Sequence, residues 1–84
     1  MENTVLDTFI GVYFGELELP FITVYQNPTD FKETYVARLF NLQQPTEYVV
    51  AKNSLAEIRN AIPDSFRKID RSPEDDPAIV EIWL

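Results

Sequence analysis

Glu74, Asp75 and Asp76 stand together between Pro73 and Pro77. Three consecutive carboxylates are the densest group of chemistry-bearing side chains in this sequence. Converging on one point, such oxygens bind a hard cation; paired in a cleft with one pKa raised, they do general acid–base work. The spacing serves neither use. A calcium loop needs acids at alternating positions, a central glycine and a distal glutamate. Here the acids are adjacent, no glycine lies among them, and successive side chains of an extended segment point to opposite sides. Glycoside hydrolysis would in addition need a cleft between two carboxylates, which an exposed, proline-flanked turn does not offer. Pro73 restricts Ser72, and Pro77 restricts Asp76, to extended backbone. The expectation is a rigid, acid-tipped corner that turns the chain into its last strand and can present its carboxylates to a basic partner.

Other chemistries are limited by what the chain lacks. It has no cysteine and no histidine, which removes thiolate metal sites, disulfides, the commonest zinc ligand and the commonest general base. Ser54, Ser65 and Ser72 sit in cap or turn contexts, and Lys32, Lys52 and Lys68 show no spacing that would activate them. The two glycines, Gly11 and Gly15, open no helix, so a phosphate-binding loop is not available. The residues therefore predict a protein that is not an enzyme, with no cofactor and no metal.

Charge is unevenly distributed. Residues 1–31 carry acids and no Lys or Arg; all seven cations lie between Lys32 and Arg71; four acids follow, giving a net charge of −7. Direct nucleic-acid binding is disfavoured by that sign. An apolar fraction of 45% argues for a folded core rather than disorder. The acidic N-terminus does not resemble a signal peptide and no run approaches the length of a membrane span, so a soluble, cytoplasmic protein is expected. At 84 residues the chain is expected to form one small domain over 1–84.

The elements that must position any site are mostly strands. Residues 5–14 and 17–26 are rich in β-branched and aromatic side chains and are separated by Gly15-Glu16, which predicts an antiparallel hairpin. Gly11 suggests a bulge or close backbone approach. Pro20 suggests an edge position, so this hairpin is expected at the periphery. Asn27-Pro28-Thr29-Asp30 has the form of a turn or single helical turn. Residues 34–41 and 46–52 predict a second hairpin. Ser54-Leu55-Ala56-Glu57 is a capping box, and Leu55, Ile58 and Ile62 fall on one face of a short helix that Pro63 ends. Phe66 and Ile69 point to a further short strand. Residues 78–84, almost unbroken in apolarity, predict a central strand buried on both faces. The expected class is α+β: an antiparallel sheet of four to five strands with one short helix packed on one face, in the order ββ-ββ-α-(β)-β.

One short helix cannot cover both faces of such a sheet. The sheet must curl into a partial barrel, or a second subunit must pack on it. The leading functional expectation is a protein-interaction module, self-associating as a homodimer through an apolar sheet face or edge. The candidate contact residues are Glu16, Glu18, Phe21, Tyr25 and Tyr35, together with Glu74, Asp75 and Asp76. One alternative is an acidic mimic of nucleic acid that occupies a basic groove; another is a small-ligand-binding domain with an apolar pocket.

Overall fold

The computed structural model describes residues 3–26, 33–69 and 77–84. The expected turn at Asn27–Asp30 and the acidic corner at Glu74, Asp75 and Asp76 lie outside the described residues.

Six strands form one mixed sheet, with a single helix, among the described residues. The strands are β1 (Thr4–Val5), β2 (Pro20–Gln26), β3 (Tyr35–Asn41), β4 (Gln44–Lys52), β5 (Lys68–Ile69) and β6 (Ile79–Trp83), and α1 spans Leu55–Asn60. Their order across the sheet is β1-β4-β3-β2-β6-β5. All neighbours are antiparallel except β1, which lies parallel to β4 with Thr4 opposite Tyr48 and Val5 opposite Val49. The architecture is α+β, but the sheet is neither purely antiparallel nor built of four or five strands.

The second hairpin forms as its alternating pattern requires. Tyr35 to Arg38 pair with Lys52 to Val49, and the register shifts before Phe40 pairs with Pro45. Pro45 has no N–H to contribute to the ladder, and it is tolerated at this irregularity. The first hairpin does not form. Only Thr4–Val5 is extended in the first segment, and Leu6 donates its N–H to Val49 O at 2.7 Å before the chain leaves the sheet. Residues 6–19 then run as turns, with Gly11 at φ 87° supplying a conformation that an L-residue rarely takes. Pro20 does not make β2 peripheral either. It is the first residue of the strand, where proline is permitted, and β2 lies between β3 and β6 in the middle of the sheet.

Side-chain alternation divides the sheet into two faces. Ile22, Val24, Ala37, Leu39 and Val50 face α1 and pack with its Ile58 and with Ala61 and Ile62. Ser54 caps the helix, its Oγ accepting from Glu57 N at 3.2 Å. A helix of six residues covers little of that face. The segment 6–19 covers more of it: Phe9 is fully buried in the same core, its N–H donating to Ala61 O at 2.9 Å, while Leu6, Phe14 and Leu17 pack against that core. The apolar residues that predicted a strand are instead a lid on the sheet. On the far face Thr23, Val36 and Val49 are buried, and Phe21 stacks on Phe40 with ring centroids 5.0 Å apart.

The last strand departs from its expectation in a specific way. β6 lies inside the sheet, but its apolar residues are only partly buried, and the residue that is buried is its one charge, Glu81.

Candidate binding surfaces at the turn end of the sheet

Glu81 is the most perturbed carboxylate among the described residues, so its chemistry comes first. It lies opposite Val24 in the register and therefore faces α1. Arg59 on the helix donates Nε–H to both its oxygens, at 3.3 and 3.1 Å, and adds a short Nη2 contact to Oε2. Trp83 Nε1 donates to Oε1 at 3.2 Å, and Lys68 Nζ stands 4.0 Å from Oε2. Burial pushes this carboxyl up; the hydrogen bonds from Arg59 and Trp83 and the charges of Arg59 and Lys68 outweigh it and hold the group below its ordinary range. Arg59 is raised in turn by the hydrogen bond and charge of Glu81. A carboxylate held this firmly in its charged form is a poor proton acceptor. Its lone pairs are taken up in fastening α1 to β6. Among the described residues no three Asp or Glu side chains come together as a metal site.

Two hollows open instead at the end of the sheet where β3 turns into β4. The turn is Leu42-Gln43, closed by pairing of Asn41 with Gln44. Leu42 takes φ 60° while Gln43 does not take positive φ. That is the sign pattern of a type II′ turn, whose first position normally takes glycine. Asn41 locks the turn to the preceding segment, its Oδ1 accepting from Glu18 N at 3.0 Å and Leu19 N at 3.1 Å, and Leu42 N donates to Leu19 O at 3.0 Å. Two leucines are thereby fixed side by side and exposed, Leu19 at 65% and Leu42 at 43%. Together with Phe21, Pro20 and Leu84 they line a groove of about 790 Å³. Phe21 belongs to the face away from α1, Leu19 directly precedes β2, and Leu84, also exposed, comes from the end of β6.

The second hollow, about 360 Å³, lies on the side of the sheet that carries α1. Leu39 forms its base, Leu6 and Leu17 its apolar sides, and Tyr13, Tyr48 and Glu16 its rim. The two hollows share no lining residue. The segment 12–19 passes between them, contributing Tyr13, Glu16 and Leu17 to one and Leu19 to the other.

The residues singled out from the sequence are dispersed by this arrangement. Glu16 and Glu18 are exposed, one at the rim of the smaller hollow and the other beside the larger groove. Phe21 lines the groove, and Tyr25, four residues on, shares its face farther along β2. Tyr35 belongs to the opposite face, packed against the main core. Leu19 and Leu84 fall inside the predicted strands 17–26 and 78–84 but lie just outside β2 and β6, and Leu42 sits in the turn, so none of them reads from the sequence as a surface residue. The signal available for Leu42 is its place between Asn41 and Gln43-Gln44, where a tight turn is due and glycine is missing. Compared with protein-family models, with curated proteins and with solved structures, the chain matches none. No helix among the described residues is long and apolar enough to cross a membrane.

Proposed function

We propose that the protein is a non-catalytic interaction module that self-associates through the apolar groove at the turn end of its sheet. The observation that carries this reading is Leu42: an exposed leucine held at φ 60° where glycine would be unstrained. An L-residue in left-handed backbone loses about 1–2 kcal/mol, and such strain is retained where the side chain is used. The use consistent with Leu19, Phe21 and Leu84 beside it is apolar contact.

Charge supports a second copy as the occupant. Glu18 flanks the groove at the Leu42 turn. Arg67, whose backbone exchanges both hydrogen bonds with Leu84 at 2.7 and 2.9 Å, flanks it at β6. Both are exposed, and neither forms an ion pair among the described residues. In the proposed two-fold contact Glu18 of each copy pairs with Arg67 of the other across the leucines. Sedimentation equilibrium tests this. A dimer with a dissociation constant on the order of micromolar is expected, lost in Leu19→Ser/Leu84→Ser, weakened in Glu18→Arg and restored in Glu18→Arg/Arg67→Glu. A wild-type protein that remains monomeric at millimolar concentration overturns the reading.

A further inference from the structure

The smaller hollow has the chemistry of a ligand site distinct from the self-association groove. Its base and sides are apolar, and its volume of about 360 Å³ lies at the low end of the range for small-molecule pockets. A single formal charge stands on its lining, the Glu16 carboxylate, which forms no ion pair among the described residues. Tyr13 and Tyr48 stand beside it, 78% and 41% exposed, and neither hydroxyl has a hydrogen-bond partner among the described residues. Thr46, the other polar residue there, is already engaged: its hydroxyl donates to Leu39 O at 2.6 Å and accepts from Tyr48 N at 3.2 Å.

Gly15 gives an independent reason to regard Tyr13 as placed rather than merely exposed. Its φ is not positive, so conformational freedom does not account for a glycine there. Space does: a Cβ at this position would lie 2.3 Å from the Tyr13 ring and hydroxyl. The ring therefore lies over Gly15 at the rim of the hollow, where any larger residue would displace it.

Two tyrosine rings and one unpaired carboxylate around an apolar base attract a cation and repel an anion, because ring faces carry negative charge density and no Lys or Arg lines the hollow. We infer that the hollow between Tyr13, Glu16 and Tyr48 binds a small organic ammonium: an apolar body of about one ring seated on Leu17 and Leu39, with its charged nitrogen at Glu16. The same chemistry could be offered by a lysine side chain of a protein, and the size of the hollow favours the free small molecule.

The probe is 2-phenylethylammonium, titrated into the isotopically labelled protein and followed by NMR, with 2-phenylethanol and phenylacetate as its neutral and anionic counterparts. Saturable shifts at Tyr13, Leu17 and Tyr48 are expected for the ammonium. Affinity about tenfold lower is expected for the alcohol, and none for the acid. Glu16→Gln should bring the ammonium down to the level of the alcohol. Gly15→Ala should weaken it several-fold while leaving the melting temperature and the amide spectrum of the core unchanged, because the atoms nearest the added Cβ are the far end of the flexible Tyr13 side chain. No saturable shift for the ammonium at 10 mM (about 20-fold above a weak millimolar-range Kd of roughly 0.5 mM), or equal affinity for all three probes, overturns the inference. So does a lysine-containing peptide binding more tightly than the free amine. Each readout stands apart from self-association, since the Leu19→Ser/Leu84→Ser protein should bind the amine as the wild type does.

Discussion

The hairpin β3–β4 and the segment 6–19 are alike in composition and opposite in outcome. Both are rich in aromatic and β-branched residues, and both contain a tight-turn signal. Residues 35–52 become two paired strands; residues 6–19 leave the sheet after two paired residues and fold across it. The difference lies in partners. β3 and β4 meet each other across a two-residue turn, so every second side chain finds a cross-strand neighbour. The 6–19 segment instead meets a sheet face that one six-residue helix leaves half bare. Burying Phe9 there removes its ring fully from water. A strand-like composition reports a need for burial, and the geometry of what is available decides how that need is met.

Deleting the anchor of the lid tests this comparison most severely. Phe9→Ala is expected to lower stability by about 3–5 kcal/mol, as much as truncating Leu39 in the centre of the hairpin, measured by urea unfolding. A loss below about 1 kcal/mol would show that 6–19 is an appendage rather than part of the core.

The link between helix and sheet comes next. Glu81→Gln removes the charge from a buried carboxylate that accepts from Arg59 and Trp83, with an expected loss of about 1–3 kcal/mol. Its folded pKa lies below the unfolded value of about 4.3. Its stabilisation is thus complete well above that value and is lost progressively as pH falls through it toward the folded pKa. Acid titration of unfolding should show a decline beginning near pH 5 (roughly half a unit above the ordinary value), shallower in Glu81→Gln. An identical pH profile in the two proteins would remove Glu81 as a source of acid sensitivity.

Within the hairpin, Leu42→Gly should separate folding from association. Relief of left-handed strain is expected to leave stability unchanged or raise it by about 1 kcal/mol, while dimerisation weakens. A destabilised variant would show that Leu42 packs for the fold and not for a partner. The smallest effect is expected in the lid: Gly15→Ala should change stability by less than about 0.5 kcal/mol, because the atoms nearest the added Cβ belong to the end of the Tyr13 side chain.

Much of the hairpin and the helix was legible because local rules govern them. Alternation placed β3 and β4, and Ser54 marked the start of α1 through a contact three residues long. Pro45 was read as part of the turn, although β4 already resumes at Gln44. The candidate surfaces were less legible. Glu16, Glu18 and Phe21 were visible as exposed acids and an aromatic, but Tyr35 was grouped with Phe21 and Tyr25 although it lies on the other face. Leu19, Leu42 and Leu84 come from three separate stretches, and no spacing relates them.

The sequence by itself determined the composition of a folded α+β chain, the position of its best hairpin and of its helix, and the absence of cysteine and histidine chemistry. Those features depend on residue type and on neighbours a few positions away. Only the tertiary structure decided that β1 runs parallel to β4, that residues 6–19 cover the sheet, and that Glu81 is the buried residue of β6. The physical reason is common to all three. Each outcome rests on a contact between residues far apart in the chain: Leu6 with Val49, Phe9 with Ala61, and Glu81 with Arg59. No periodicity within a single segment encodes such a pairing.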